Sequence, residues 1–194
     1  MYQNYYFNKT FNGNLYQCLD YMVTPNAVNI DTGIKANSNL KIIFDFIPRV
    51  TTGDVLLGHN DTGDSSDYRF FNYSNAIYFD IGSGRINGGS CAPGNRYKFE
   101  FGNYYVKNYM NTTNIITGSA QTYSSDVTIK IRQALDFYSL KIFKNGILIG
   151  DFYPCYNIQN STIGIYNVLT KTFYSNTSTG VMSKGNDSRN NIYV

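Results

Sequence analysis

Hydrolysis of a glycosidic bond calls for two carboxyl groups flanking it, one as acid and one as base or nucleophile. This chain has a single glutamate, Glu100, set between Phe99 and Phe101. No two acidic residues stand two apart within a strand-like run, and Asp45 and Asp80 are isolated outward candidates. Nucleophilic catalysis by a Ser-His or Cys-His pair would have to use His59, the only histidine. It sits in Gly58-His-Asn-Asp61 with no nucleophile elbow nearby, which reads as a surface-loop histidine. Cys18, Cys91 and Cys155 are odd in number, widely spaced and without a CxxC pair. They read as buried thiols rather than a zinc site, and a single disulfide is the less favoured alternative. The reactive residue types are therefore too few and too scattered for catalysis.

Binding chemistry is better supplied. Asp61, Asp64 and Asp67 lie in the oxygen-rich run Asn60-Asp-Thr-Gly-Asp-Ser-Ser-Asp67. Calcium takes donors of this kind, although the spacing is not that of an EF-hand and such loops are common without metal. Sugars are held by flat aromatic faces together with amide, carboxylate and guanidinium groups. Tyr68, Asn72, Tyr73 and Asn75 follow the acidic loop, and Arg85, Asn87 and Asn95 surround a Gly-rich stretch. These seven are the candidate carbohydrate contacts. The competing reading is compositional, because the chain holds 19 Tyr and is rich in Asn throughout. Triplets such as Asn72-Tyr-Ser74 and Asn111-Thr-Thr113 reflect the same abundance.

The elements that must position these residues are strands. Strand-favouring Tyr, Phe, Ile, Val and Thr abound and long-chain helix formers are scarce. Apolar residues alternate over Val28–Ile30, Leu40–Phe46, Ile77–Ile81, Tyr97–Phe101 and Val127–Ile131. Asn145-Gly146 between two apolar runs predicts a type I′ hairpin that pairs Lys144 with Ile147 and Ile142 with Ile149. Thr162–Tyr166 and Thr172–Tyr174 complete the set. Loops are expected at 58–67, 82–95 and 111–125, with at most one helical turn at 132–137. Net charge is +3, and Lys35, Lys41, Arg49, Arg69, Arg85, Arg96, Lys98 and Lys107 are spread out as solvated positions. That pattern excludes a nucleic-acid partner. No apolar run reaches the roughly 18 residues of a membrane span, and the N-terminal residues lack the pattern of a signal peptide.

Three blocks carry a family likeness. Tyr21–Ile34, with Asn29-Ile-Asp-Thr-Gly-Ile34, resembles the N-terminal strand of concanavalin A-like jelly rolls. Leu140–Cys155 resembles a second block of that type, and Ile163-Gly-Ile-Tyr-Asn167 with Lys171–Asn176 and Gly180 a third. The resemblance implies an all-β jelly-roll sandwich of two antiparallel sheets over residues 18–185. It also implies a laminin-G-like or lectin-like binding role, as in phage structural proteins and gut-bacterial surface proteins. Enzymes of that superfamily carry Glu-x-Asp-x-(x)-Glu on one strand, which is missing here. Residues 1–17 read either as an arm for assembly, with Tyr2, Tyr5, Tyr6, Phe7 and Phe11 as its anchors, or as an edge strand. Residues 186–194 read as a tail. A binder of external type, beginning at Met1 without a signal, is expected in a bacteriophage virion as a decoration, fibre or adhesion protein. Its partners would be capsid or other virion proteins in an oligomer, and surface glycans. The alternative is a bacterial lectin or carbohydrate-binding module free of any virion.

Overall fold

The computed structural model describes residues 10–11, 15–59, 67–110 and 115–185. Every regular element among them is a β-strand. In chain order these are β1 (Thr10–Phe11), β2 (Tyr16–Cys18), β3 (Met22–Thr24), β4 (Asn29–Asn37), β5 (Leu40–Pro48) and β6 (Thr52–His59). There follow β7 (Asp67–Tyr73), β8 (Ala76–Gly82), β9 (Gly84–Ser90), β10 (Tyr97–Gly102), β11 (Tyr105–Asn108) and β12 (Ile115–Thr117). The last six are β13 (Ser124–Arg132), β14 (Leu135–Lys144), β15 (Ile147–Asn157), β16 (Thr162–Asn167), β17 (Thr172–Ser175) and β18 (Ser183–Lys184). They form two antiparallel sheets. One is six-stranded in the order β4-β13-β6-β7-β8-β9. The other runs β1-β2-β15-β14-β5-β10-β11-β12, with β16 and β17 continuing from β15, and β3 and β18 from β14. The chain is an all-β sandwich compatible with a jelly roll.

Period-2 alternation decides which side chains meet between the sheets. On β5, Leu40, Ile42, Phe44 and Phe46 turn inward, with Phe44 and Phe46 stacked at 4.3 Å. Phe99 and Phe101 on β10 and Phe137, Leu140 and Ile142 on β14 extend that surface. Phe70 comes from the opposite sheet. Its ring meets Phe44 at 6.1 Å, Phe46 at 5.9 Å, Phe99 at 5.5 Å and Phe101 at 4.5 Å. The first three contacts are edge-on and the last is stacked, which are the geometries aromatic pairs favour.

The Asn145-Gly146 turn has φ of 50° and 81°, as a type I′ hairpin requires. Lys144 pairs with Ile147, but a bulge then sets Ile142 opposite Gly150 rather than Ile149. Ile149 is only partly buried against the core. The stretch expected as a loop at 82–95 contains strand β9. Gly88 suits it because a Cβ there would press on Ile77 and Val106. Ile115–Thr117 also forms a strand inside the expected 111–125 loop. The proposed helical turn at 132–137 is instead the tight β13–β14 connection, with Gln133 at a φ of 61°.

Of the N-terminal segment, Tyr16 and Gln17 lie on β2, which pairs with β15 on one side and β1 on the other. Phe11 is in β1, opposite Tyr16. Tyr2, Tyr5, Tyr6 and Phe7 lie outside the described residues, as does the 186–194 tail.

Truncating Phe70 removes a ring held by four others. Phe70→Ala is expected to cost about 3–5 kcal/mol of stability in urea unfolding. A loss under about 1 kcal/mol would refute the central place given to this ring.

Candidate functional site

The sheet register lines up side chains on the outer face of the six-stranded sheet. One row crosses all six strands as Asp31, Lys130, Gly58, Arg69, Asp80 and Arg85. The next row holds Val55, Phe71, Tyr78 and Asn87. Tyr73 follows Phe71 on the same face, two residues along β7.

Asp80 organises this surface. Arg69 Nε donates to its Oδ2 at 2.8 Å, and Arg85 donates to Oδ1 from Nε at 2.7 Å and to Oδ2 from a terminal nitrogen at 2.8 Å. The bidentate Arg85 contact is the strong, directional kind. Both guanidinium groups lie over the Phe71 ring, at 4.9 and 5.3 Å. Tyr78 stacks on Phe71 at 5.4 Å. Phe71 is consequently covered although it points outward, whereas the Tyr73 ring is 55% exposed. The surface is a rigid aromatic strip edged by fixed guanidinium groups, with the exposed Asn87 amide at its end. Gly58 leaves the Lys130-to-Arg69 span without a side chain, and its φ of +113° would drive a Cβ into the Tyr68 carbonyl.

The structure sorts the seven candidate sugar contacts. Tyr73, Arg85 and Asn87 share this face. Asn75 is exposed in the β7–β8 turn with φ of 61°, and Asn95 is exposed in the connection between β9 and β10. Two expectations need correction. Tyr68 is buried among Phe79 and Tyr123, and Asn72 is buried with its amide donating to the Cys91 carbonyl at 2.6 Å. Both face inward with Phe70, so neither presents a surface to a ligand. Phe71, Asp80 and Arg69 were missed. Tyr68-Arg-Phe-Phe-Asn-Tyr73 has aromatic residues on both faces, and Arg69 was the one signal that its face is the outer one.

Other assignments also change. His59 is no surface histidine. It is buried on β6, with Nε2 2.9 Å from the Tyr123 hydroxyl. Arg49, Arg69, Arg85 and Arg96 are not merely solvated. Arg49 pairs with Asp136 at 2.6 Å, and Arg96 grips both oxygens of Asp45 while lying 3.7 Å over Tyr138. Asp45 and Asp80 are thus engaged as structural counter-ions. Asp61 and Asp64 lie outside the described residues. Asp67 opens β7 opposite Gly82.

The outer face of the larger sheet offers a different surface. A hollow of about 390 Å³ is lined by Tyr21, Val23, Arg49, Ser183 and Lys184. Farther along, Glu100 accepts hydrogen bonds from the Tyr105 hydroxyl at 2.7 Å and the Tyr109 hydroxyl at 2.6 Å. Partial burial raises its carboxyl. The two hydroxyls and the Lys41 and Lys107 charges outweigh that and hold it below the usual carboxylate value. Exposed Tyr104, Tyr109, Met110 and Ile115 form an apolar margin near β11 and β12.

Comparison with family models, curated proteins and solved structures finds no match to this chain.

Two predictions follow from these charges. Asp80→Asn neutralises the carboxylate that accepts three hydrogen bonds from Arg69 and Arg85 and is expected to cost about 1–3 kcal/mol in chemical unfolding. Asp126→Asn breaks the fully solvated Lys35–Asp126 pair and should leave the unfolding curve unchanged; equal losses would contradict the organising role of Asp80. The lowered Glu100 carboxyl adds stability above its unfolded value of about 4.3, and this is lost as pH falls through the lower folded value. Glu100→Gln should therefore flatten part of the acid limb of a stability–pH profile, at and below that unfolded value. An unchanged limb would contradict this.

Proposed function

We propose that this chain is a non-catalytic, lectin-like binding domain of the concanavalin A-like type, acting in a bacteriophage virion as a decoration, fibre or adhesion component. In this reading the outer face of the six-stranded sheet contacts a host-surface glycan. The observation that carries the binding role is the Tyr73 ring open to solvent beside the half-buried Tyr78, on a face where Asp80 fixes Arg69 and Arg85 over the covered Phe71 ring.

The chemistry supports a sugar ligand. Aromatic faces pack against the C–H surfaces of a pyranose, while amide and guanidinium donors take its hydroxyl or carboxylate oxygens. Side chains held by ion pairs and stacking lose little freedom on binding, which favours affinity from a small surface. The virion role rests on the sequence resemblance, and the apolar margin of Tyr104, Tyr109, Met110 and Ile115 suits docking to a neighbouring subunit.

The test is a glycan array probed with the wild-type chain and with Tyr73→Ala and Arg85→Ala. Each variant is expected to bind the selected glycans at least about tenfold more weakly, equal to about 1.4 kcal/mol. No selective binding by the folded wild type, or unaltered binding by both variants, would overturn the glycan role. Detection of the chain in purified phage particles supports the virion reading. Selective glycan binding by a monomer with no affinity for particle proteins would instead favour the free bacterial module.

A further inference from the structure

Cys18 and Cys155 stand directly opposite each other where β2 meets β15. The hydrogen-bond phase of this pair of strands is set by its neighbours. The Leu19 amide donates to the Pro154 carbonyl at 3.0 Å, and the Ile158 amide to the Leu15 carbonyl at 3.0 Å. Leu19–Pro154 and Leu15–Ile158 are therefore hydrogen-bonded positions. Alternation makes Cys18–Cys155 a non-hydrogen-bonded position, where facing Cα atoms are only about 4.5 Å apart and the side chains are closest. A disulfide accepts Cα separations of roughly 4.4–6.8 Å. Both residues are thiols in the structure, their Sγ atoms facing the carbonyls of Leu19 at 3.7 Å and Tyr156 at 4.0 Å. Cys91 is on a different sheet edge, in the segment after β9, and has no part in this arrangement.

We propose that Cys18 and Cys155 are a redox-sensitive pair that closes into a cross-strand disulfide and staples the N-terminal strand β2 to β15. The oxidant is a small-molecule disulfide such as glutathione disulfide. The partly exposed Cys18 attacks first as thiolate, forming a mixed disulfide and releasing one glutathione thiolate. Cys155 then displaces the second glutathione as the Cys18–Cys155 bond forms. The two protons shed by the cysteines pass to the two released thiolates, and the two electrons leave with them. Burial, with Cys18 beside it, pushes the Cys155 thiol up to about 12, so the second step is the slow one and accelerates with pH.

The site has a mechanical consequence. Tyr16, two residues before Cys18, stacks on Phe173 at 5.3 Å and meets the tilted Tyr166 ring at 5.1 Å. A covalent bond at Cys18 would hold this ring and β2 in place wherever the surroundings are oxidising, as they are outside a cell.

The experiment treats the native full-length chain with glutathione disulfide, blocks remaining thiols by alkylation, and maps peptides by mass without reduction. The expected product links the Cys18 and Cys155 peptides, with the loss of two hydrogen atoms, and leaves Cys91 as a thiol. Its melting midpoint should lie roughly 10 °C above that of the reduced chain, and dithiothreitol should reverse the difference. Cys91→Ala should give the same linked peptide. Three intact thiols, a glutathione adduct on Cys18 that never closes, or a link involving Cys91 would overturn the proposal.

Discussion

Phe70 enters a cage of Phe44, Phe46, Phe99 and Phe101 supplied by the opposing sheet, and that contact fixes which face of β7 lies inside the sandwich. A sandwich has no other way to bury its inner faces than to interdigitate them across about 10 Å. Aromatic rings occupy the centre of that interdigitation, with Phe79 against Phe101 across the sheets and Tyr68 against Phe79 beside them, and aliphatic side chains fill the rest. Once Phe70 points inward, the pleat obliges Arg69 and Phe71 to point outward. The core contact and the external aromatic strip are two consequences of one strand's phase.

The same constraint explains why this surface is rigid. Asp80 lies on β8 between Arg69 on β7 and Arg85 on β9, so a single carboxylate ties three strands at one level. The arginines in turn cover Phe71, which would otherwise expose a large apolar ring. Electrostatics and stacking thus reinforce each other on a face where hydrophobic burial is unavailable. On the larger sheet, Arg96, Asp45 and Tyr138 repeat the combination of bidentate ion pair and ring stacking.

Strand positions and sheet class were legible in the sequence because alternation and the Asn145-Gly146 turn are local signals. What escaped depended on partners distant in the chain. β9 was hidden by its glycines, of which Gly88 answers to the press of Ile77 and Val106 from other strands. His59 looked like a loop residue because its partner Tyr123 is 64 residues away. Tyr68 and Asn72 passed as surface groups because both faces of β7 carry aromatic and polar residues. Only the cross-sheet contact of Phe70 distinguishes them. Tyr73, Arg85 and Asn87 were legible as residue types, but their gathering on one face required the β7–β8–β9 register.

The central claim is that this outer face is the ligand surface, and chemical-shift mapping tests it most directly. Isotope-labelled chain would be titrated with acidic and neutral oligosaccharides, following backbone amides and aromatic side chains. Saturable shifts concentrated at Tyr73, Tyr78, Arg85 and Asn87 are expected. Shifts confined to the hollow around Tyr21, Arg49 and Lys184, with β7 to β9 silent, would contradict it.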